Sequence, residues 1–380
     1  MKIAMICDVL GEANNGTVLA ALNLIRYLKE RGHTVYVVSP QDSTRGLEDY
    51  YVTPTRDFGF LINRIFEKNG VSLAKADPGV LEKVVEMADV VHLEVPFELS
   101  ECALRFAREM GKPVTASFHC QAENVTAHLG PVMNDRIANH LVYKVFYQRI
   151  YQYCDVIHYP TEFIRRVFTE NVPIERPYRV ISNGVNDIFF QEKGEKVKHE
   201  TFDIVSTGRY SREKDQATLI RAIGLSRYRE KIRLILAGSG PMQEKLESLA
   251  KREGVNASFR FFAREELAET LHNADLYVHA AIVEIEAIGC MEAIASGLPA
   301  VIADSPRSAT RFFAVDDRTL FRAGDPEDLC RKIEYFIENP SELVSCRDKY
   351  AKVREGFDQK SCMKQMEDML ADAAALRFRA

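Results

Sequence analysis

Two short apolar runs, Ala274-Asp275-Leu276-Tyr277-Val278 and Ala300-Val301-Ile302-Ala303, bracket a loop and a helix, and this arrangement limits what the chain can fold into. Runs of that length and composition read as strands buried on both faces. Between them, residues 287–296 contain no breaker except Gly289, and Gly297 and Pro299 stop the helix. Strand, loop, helix and next strand make one unit of a parallel sheet, so the chain is α/β. Glu284 stands on the loop and Glu292 in the first turns of the helix, with seven residues between them. A helix N-terminus at the carboxyl end of a parallel strand attracts anions through its free amides and dipole. Carboxylates placed there would repel phosphate, so they suit sugar hydroxyls: a ribose diol for Glu292, a second sugar beyond the diphosphate for Glu284. The plainer alternative is a surface helix with ordinary glutamates. The shared register of strand, loop, helix and Gly-Leu-Pro speaks against it.

The Glu-x7-Glu element followed by Ala-Ile-Ala-Ser-Gly-Leu-Pro resembles the donor-site signature of retaining family-four glycosyltransferases. Residues 283–294, and Asp304-Ser305-Pro306-Arg307-Ser308-Ala309-Thr310 with Phe313-Ala314, are similar to those of bacterial 1,2-diacylglycerol 3-alpha-glucosyltransferases. The resemblance implies the GT-B fold, two Rossmann-like domains facing each other across a cleft. Residues 1–190 would bind the acceptor, 201–359 the nucleotide sugar, and a C-terminal helix at 360–380 would pack back on the first domain. The sequence departs from the family pattern in three places. The usual Gly-Gly-x-x-Glu is replaced by residues 305–310, Ala287 stands where Gly often follows the first Glu, and Glu286 is a second acid in the loop.

A chain of 380 residues, 46% apolar, is long enough for two cored domains. A formal charge of -5 argues against a nucleic-acid partner. Eight cysteines are scattered singly, without a Cys-x-x-Cys pair, as reduced thiols of a cytoplasmic protein are. The sequence enters a buried strand at residues 3–7, with no signal peptide expected ahead of it. No apolar run approaches the roughly 20 residues that span a bilayer, so a membrane role would be peripheral, on the inner face of the cell membrane.

In chain order, the first strand leads into Asn14-Asn15-Gly16 and an amphipathic helix ended by Gly32. The absence of Gly-x-Gly-x-x-Gly speaks against a nicotinamide site. The turn either admits a ligand close to the backbone or is a plain turn; the resemblance sets it beside the donor phosphates and singles out Gly16. The strand at 114–118 ends in His119, at the edge where α/β sheets bind ligands. A lone histidine is more often structural, but the resemblance implies that His119 lies against the transferred sugar. Gln121, Glu123 and Asn124 are weaker candidates for acceptor contacts.

Residues 136–153 read as a helix with an apolar stripe of Ile137, Leu141, Val145, Val142, Phe146 and Ile150. Tyr143, Tyr147 and Tyr151 form a second stripe with Lys144 and Arg149 nearby, which suits an anionic membrane surface. The aromatic stretch 58–66 has the same character. Packing within the domain is the alternative for both. The turn 182–186 resembles a domain hinge, with Asn186 where Asp is usual, and the polar run 191–200 reads as the linker. After the strand at 202–207, Arg209 and Lys214 are placed to clamp a diphosphate, and they match the family's Gly-Arg…Glu-Lys element. The backbone just after the strand at 259–263 is where the family holds the nucleobase.

The expected activity is retaining transfer of a hexose, alpha-glucose from UDP-glucose, to a membrane lipid such as diacylglycerol. Arg209, Lys214 and the amides of Ala287 and Ile288 would stabilise the leaving diphosphate. His119 would support the developing positive charge through its carbonyl, or orient the sugar. No Asp-x-Asp occurs in the chain, so neither a metal nor another cofactor is expected. The alternatives are the same transfer to a soluble or other glycolipid acceptor, and a non-catalytic module that binds a nucleotide sugar.

Overall fold

The computed structural model describes residues 1–10, 16–57, 73–123, 136–191, 194, 196 and 200–376. The Asn14-Asn15 turn, the aromatic stretch 58–66 and Asn124 lie outside the described residues. The chain forms two compact units: Met1–Asn183 with Ser361–Ala380, and Gly184–Lys360. It therefore passes between units twice, and the polar run 191–200 lies within the second unit. Where that unit begins and ends, the Val185 amide donates to the Phe357 carbonyl at 2.7 Å and the Gln359 amide to the Val185 carbonyl at 3.3 Å. Gly184 fits this junction because its φ is +71° and a Cβ would stand 2.6 Å from the Gln359 Cα.

The first unit is built on seven parallel strands: β1 (Lys2–Ile6), β2 (Thr34–Ser39), β3 (Tyr50–Val52), β4 (Val90–Leu93), β5 (Val114–Ser117), β6 (Val156–Tyr159) and β7 (Tyr178–Val180). Their order is β3-β2-β1-β4-β5-β6-β7. The second unit has six: β8 (Phe202–Thr207), β9 (Ile232–Ala237), β10 (Ala257–Arg260), β11 (Leu276–His279), β12 (Ala300–Asp304) and β13 (Leu320–Arg322), in the order β10-β9-β8-β11-β12-β13. Each is a Rossmann-like sheet whose order reverses beside its first strand, and that reversal opens a crevice at the carboxyl edge. The three-residue edge strands β3 and β13 leave no periodic signal in the sequence.

Local chemistry sets the helix boundaries. Asp77 precedes Pro78 and accepts from the amides of Gly79 at 3.1 Å and Val80 at 3.2 Å, opening the helix Pro78–Met87. Asp325 does the same for Pro326–Glu338 through the Asp328 amide. The helix Gln359–Leu376 sends Cys362, Met363, Met366, Met369, Leu370 and Ala373 into the core formed by Ile3, Met5, Val35, Val37 and Val90. Its Glu367 accepts from His33 Nε2 at 2.8 Å, while His33 Nδ1 accepts from the N-terminal amine at 3.1 Å.

The helix Arg136–Arg149 departs from the reading of its pattern. Phe146 and Ile150 of the expected apolar stripe are buried, but so are Tyr143 and Tyr151, while Ile137, Leu141 and Val145 are exposed. The tyrosines turn inward because Phe118 gathers an aromatic cluster, with ring centroids 6.2 Å from Tyr143, 5.1 Å from Tyr151 and 4.4 Å from Phe168. Aromatic area and mutual packing outweigh that of the aliphatic row. The tyrosine stripe is therefore a packing surface.

Leu370 is fully buried where the C-terminal helix meets the first sheet. Leu370→Ala should destabilise this unit by about 3 kcal/mol through lost burial and the cavity left behind. A shift of the urea unfolding midpoint at unchanged slope would read that loss.

Candidate active site

Three loops at the carboxyl edge of the second sheet hold the predicted residues: 208–215 after β8, 280–287 after β11 and 305–309 after β12. The middle loop is fixed from both sides. On one side the Ile282 amide donates to the Glu213 carbonyl at 2.8 Å. On the other, the Glu284 amide donates to the Arg307 carbonyl at 3.3 Å, the Ala309 amide to the Glu284 carbonyl at 2.9 Å, and the Ser305 hydroxyl to the Ile282 carbonyl at 2.6 Å. Ser308 and Thr310 close the brace with their buried hydroxyls 2.5 Å apart. The segment that replaces Gly-Gly-x-x-Glu thus positions the loop carrying Glu284.

Glu284 is almost fully buried. Lys214 Nζ donates to its Oε1, and His279 Nε2 lies 3.2 Å from the same oxygen. The Tyr277 hydroxyl lies 3.2 Å from His279 Nδ1 and 2.8 Å from Thr207 Oγ1. Burial alone would push the Glu284 carboxyl up, but the Lys214 charge and the His279 imidazole outweigh it and hold the group down at about 2. Because this value lies below the ordinary one, the ion pair stabilises the fold above about pH 4, and that contribution is lost as pH falls towards 2.

The helix Ile288–Ala295 opens from this loop, and its first amides have no partner within the helix. Ala287, its N-cap, has φ +64°, the left-handed region that costs a non-glycine residue about 1 kcal/mol. Gly289 allows the helix to rest on the end of β8, since a Cβ would collide with the Thr207 side chain. Glu292 is half-buried, and among the described residues no hydrogen bond reaches its carboxylate. Burial pushes it up to about 7 against the opposing charge of Arg264. Arg209 is half-buried, and desolvation lowers its pKa. Glu286 is buried, and Arg212 is exposed. This edge therefore brings together Arg209, Lys214, Glu284, Ala287, Ile288 and Glu292: cations and free amides for an anion, carboxylates for hydroxyls.

The other predicted residues belong to the first unit. His119 is buried just beyond β5, and Glu94, just beyond β4, approaches it with Oε2 3.5 Å from Nε2. Gly16 is exposed and opens the helix Gly16–Glu30. Glu123 accepts from the buried Tyr143 hydroxyl at 2.8 Å, so both serve the packing of the helix. Tyr147 is half-buried and Lys144 exposed, while Arg149 is exposed and lies 3.3 Å from Glu101. Sequence reasoning missed His279, Tyr277, Ser305 and Glu94. For Glu94 a signal existed: it directly follows the strand Val90–Leu93, at the edge where ligands bind.

Residues 14–188 match the family Glycosyltransferase Family 4, and residues 187–354 match Glycosyl transferases group 1. The chain is 24% identical over 330 residues to an alpha-monoglucosyldiacylglycerol synthase of Streptococcus pneumoniae, covering 80% of this chain and 72% of that one. It is 21% identical over 373 residues to an alpha-monoglucosyldiacylglycerol synthase of Acholeplasma laidlawii, covering 93% and 92%. The crystal structure of Anabaena HepE in complex with UDP-glucose has the same fold, with a TM-score of 0.75 at 15% identity over 98% of this chain and 100% of that one.

Lys214→Met should leave Glu284 buried beside an apolar side chain. The Glu284 carboxyl should then titrate well above its wild-type position, as read by carbon-13 NMR. Stability at pH 7 should fall by about 3 kcal/mol, the low end for a broken buried pair because Lys214 keeps some solvent contact.

Proposed function

The chain belongs to the GT-B glycosyltransferases, a family 4 domain followed by a group 1 domain, and from that premise we propose that it transfers alpha-glucose from UDP-glucose to a diacylglycerol-type membrane lipid with retention. The observation that carries the donor side is Glu284, held ionised by Lys214 and His279 on the loop that opens the helix Ile288–Ala295. A carboxylate kept charged in a buried place is prepared to accept hydrogen bonds from sugar hydroxyls. Glu292, without a hydrogen-bonding partner in its first turns, suits the ribose diol.

In this reaction the bond between the anomeric carbon and the β-phosphate oxygen breaks. The acceptor oxygen bonds to the anomeric carbon on the same face, and its proton passes to the departing phosphate. Arg209, Lys214 and the amides of Ala287 and Ile288 stabilise the leaving charge. Diphosphate binding draws Lys214 away from Glu284 and leaves that carboxylate to the transferred sugar. His119 supports the positive charge developing at the anomeric carbon or orients the ring. The scheme uses no protein nucleophile and no cofactor; the two cations act where a metal would otherwise bridge the phosphates.

The lipid acceptor is supported by the similarity to the two alpha-monoglucosyldiacylglycerol synthases. Among the described residues no helix is long and apolar enough to cross a membrane, which accords with peripheral attachment to an anionic surface. Exposed Ile137, Leu141 and Val145 beside Lys144 and Arg149 are the groups proposed to meet it. The inward tyrosines favour a second reading, in which the same donor chemistry serves a soluble acceptor or another glycolipid.

UDP release from UDP-glucose should require diacylglycerol in anionic vesicles, persist in EDTA, and fall by about 100-fold or more in Glu284→Ala. Release without lipid would move the acceptor to the second reading, and UDP binding without release would overturn transfer. The pH dependence of binding isolates Glu292. Its ionised form accepts from the diol and its resting value is about 7, so UDP binding should weaken as pH falls below 7. Calorimetry should find that part of the slope missing in Glu292→Gln.

A further inference from the structure

We propose that Glu94 is the positioning residue of His119: as a neutral carboxylic acid it donates a hydrogen bond to Nε2 and fixes the ring as the uncharged Nδ1–H tautomer. The consequence for catalysis rests on the role proposed above for His119; the tautomer itself does not.

Side chains of β4, β5 and β6 form a cluster in which each proton's place constrains the next. Burial holds His158 down at about 4, so the ring is neutral; its Nε2 donates to the Ile181 carbonyl at 2.7 Å and its Nδ1 must then accept. The Ser117 hydroxyl, 2.8 Å away, therefore donates to it. Ser117 Oγ then accepts from His92 Nε2 at 3.0 Å, which leaves His92 Nδ1 to accept from Thr115 Oγ1 at 2.8 Å. His92 and His158, both held neutral by burial, thus have both nitrogens committed.

Glu94 sits against this cluster without sharing in it. Both carboxyl oxygens are buried, and among the described residues neither has a hydrogen-bond partner. Oε1 lies 3.7 Å from His92 Nε2, whose proton is already turned to Ser117, and Oε2 lies 3.5 Å from His119 Nε2. Among the described residues the titratable groups facing it are His92, His119, Cys7 and Tyr151, none of them a standing cation. The adjoining cavity of about 10 Å³ is walled by Ala20, Leu24, Met363 and Met366, with Ser117, His158 and Asn183 as its other polar lining. An ionised carboxylate here would have no counter-charge among the described residues. Burial accordingly pushes Glu94 up to about 8 and His119 well below the ordinary imidazole range. A neutral carboxyl has one O–H to give, and among the described residues His119 Nε2, 3.5 Å from Oε2, is an acceptor within its reach.

The test reads the ring before it reads the rate. In nitrogen-15 histidine NMR of the resting protein at pH 7, His119 should show a bare Nε2 and a protonated Nδ1, changing as pH rises through about 8. E94Q, whose amide can donate to the same nitrogen, should keep that tautomer with no transition. E94L, close in volume but without a donor, should release it. In turnover, E94L should lower kcat by about 10- to 100-fold with donor KM little changed. E94Q should restore most of that loss and abolish the alkaline decline near pH 8. A doubly protonated His119, or an Nε2–H tautomer in the wild type, would overturn the proposal, as would E94Q and E94L behaving alike in the NMR spectrum. Absence of turnover in the wild type would count against the transferase reading and leave the tautomer to be decided by NMR.

Discussion

A buried carboxylate is stable as an anion only if the protein brings it a counter-charge, and the second unit is arranged to do this for Glu284. Lys214 arrives on the loop after β8, His279 ends β11, and Glu284 itself stands on the loop that follows. Three successive features of the sheet edge must be in register for the pair to form. The brace from Ser305, Arg307 and Ala309 holds that register, and Gly289 lets the helix seat on the end of β8. The position of the free amides at Ala287 and Ile288 follows from the same seating.

The first unit answers the same electrostatic problem in the opposite way. Glu94 is at least as buried as Glu284, but among the described residues the groups facing it include no lysine or arginine, and burial favours its protonated form. One glutamate is held down at about 2 and the other pushed up to about 8, with burial acting upwards on both. The difference is the Lys214 charge, seconded by the His279 imidazole, beside Glu284. Two acids of the same type thereby become suited to opposite tasks, one accepting hydrogen bonds and the other giving one.

Where the sequence reading succeeded, the signal was local. The central strands of both sheets are apolar runs whose character survives any packing, and Glu284 and Glu292 are tied to a strand, a loop and a helix close together in the chain. It failed where competition between surfaces decided the outcome. Two rows on the helix Arg136–Arg149 were each apolar enough to be buried, and the aromatic partners around Phe118 come from β5, β6 and the helix Glu162–Asn171, which no periodicity on one helix reports.

By itself, the sequence determined two parallel α/β units, their edge-forming loops, and the residue types gathered around one helix N-terminus. These follow from hydrophobic period and turn chemistry, which act within a few residues. Tertiary structure alone decided the charge states. The ionisation of Glu284 depends on Lys214, 70 positions away in the chain, and the raised pKa of Glu94 on burial among side chains from other strands. Desolvation and counter-charge are properties of a neighbourhood, and the neighbourhood exists only after the sheets have assembled.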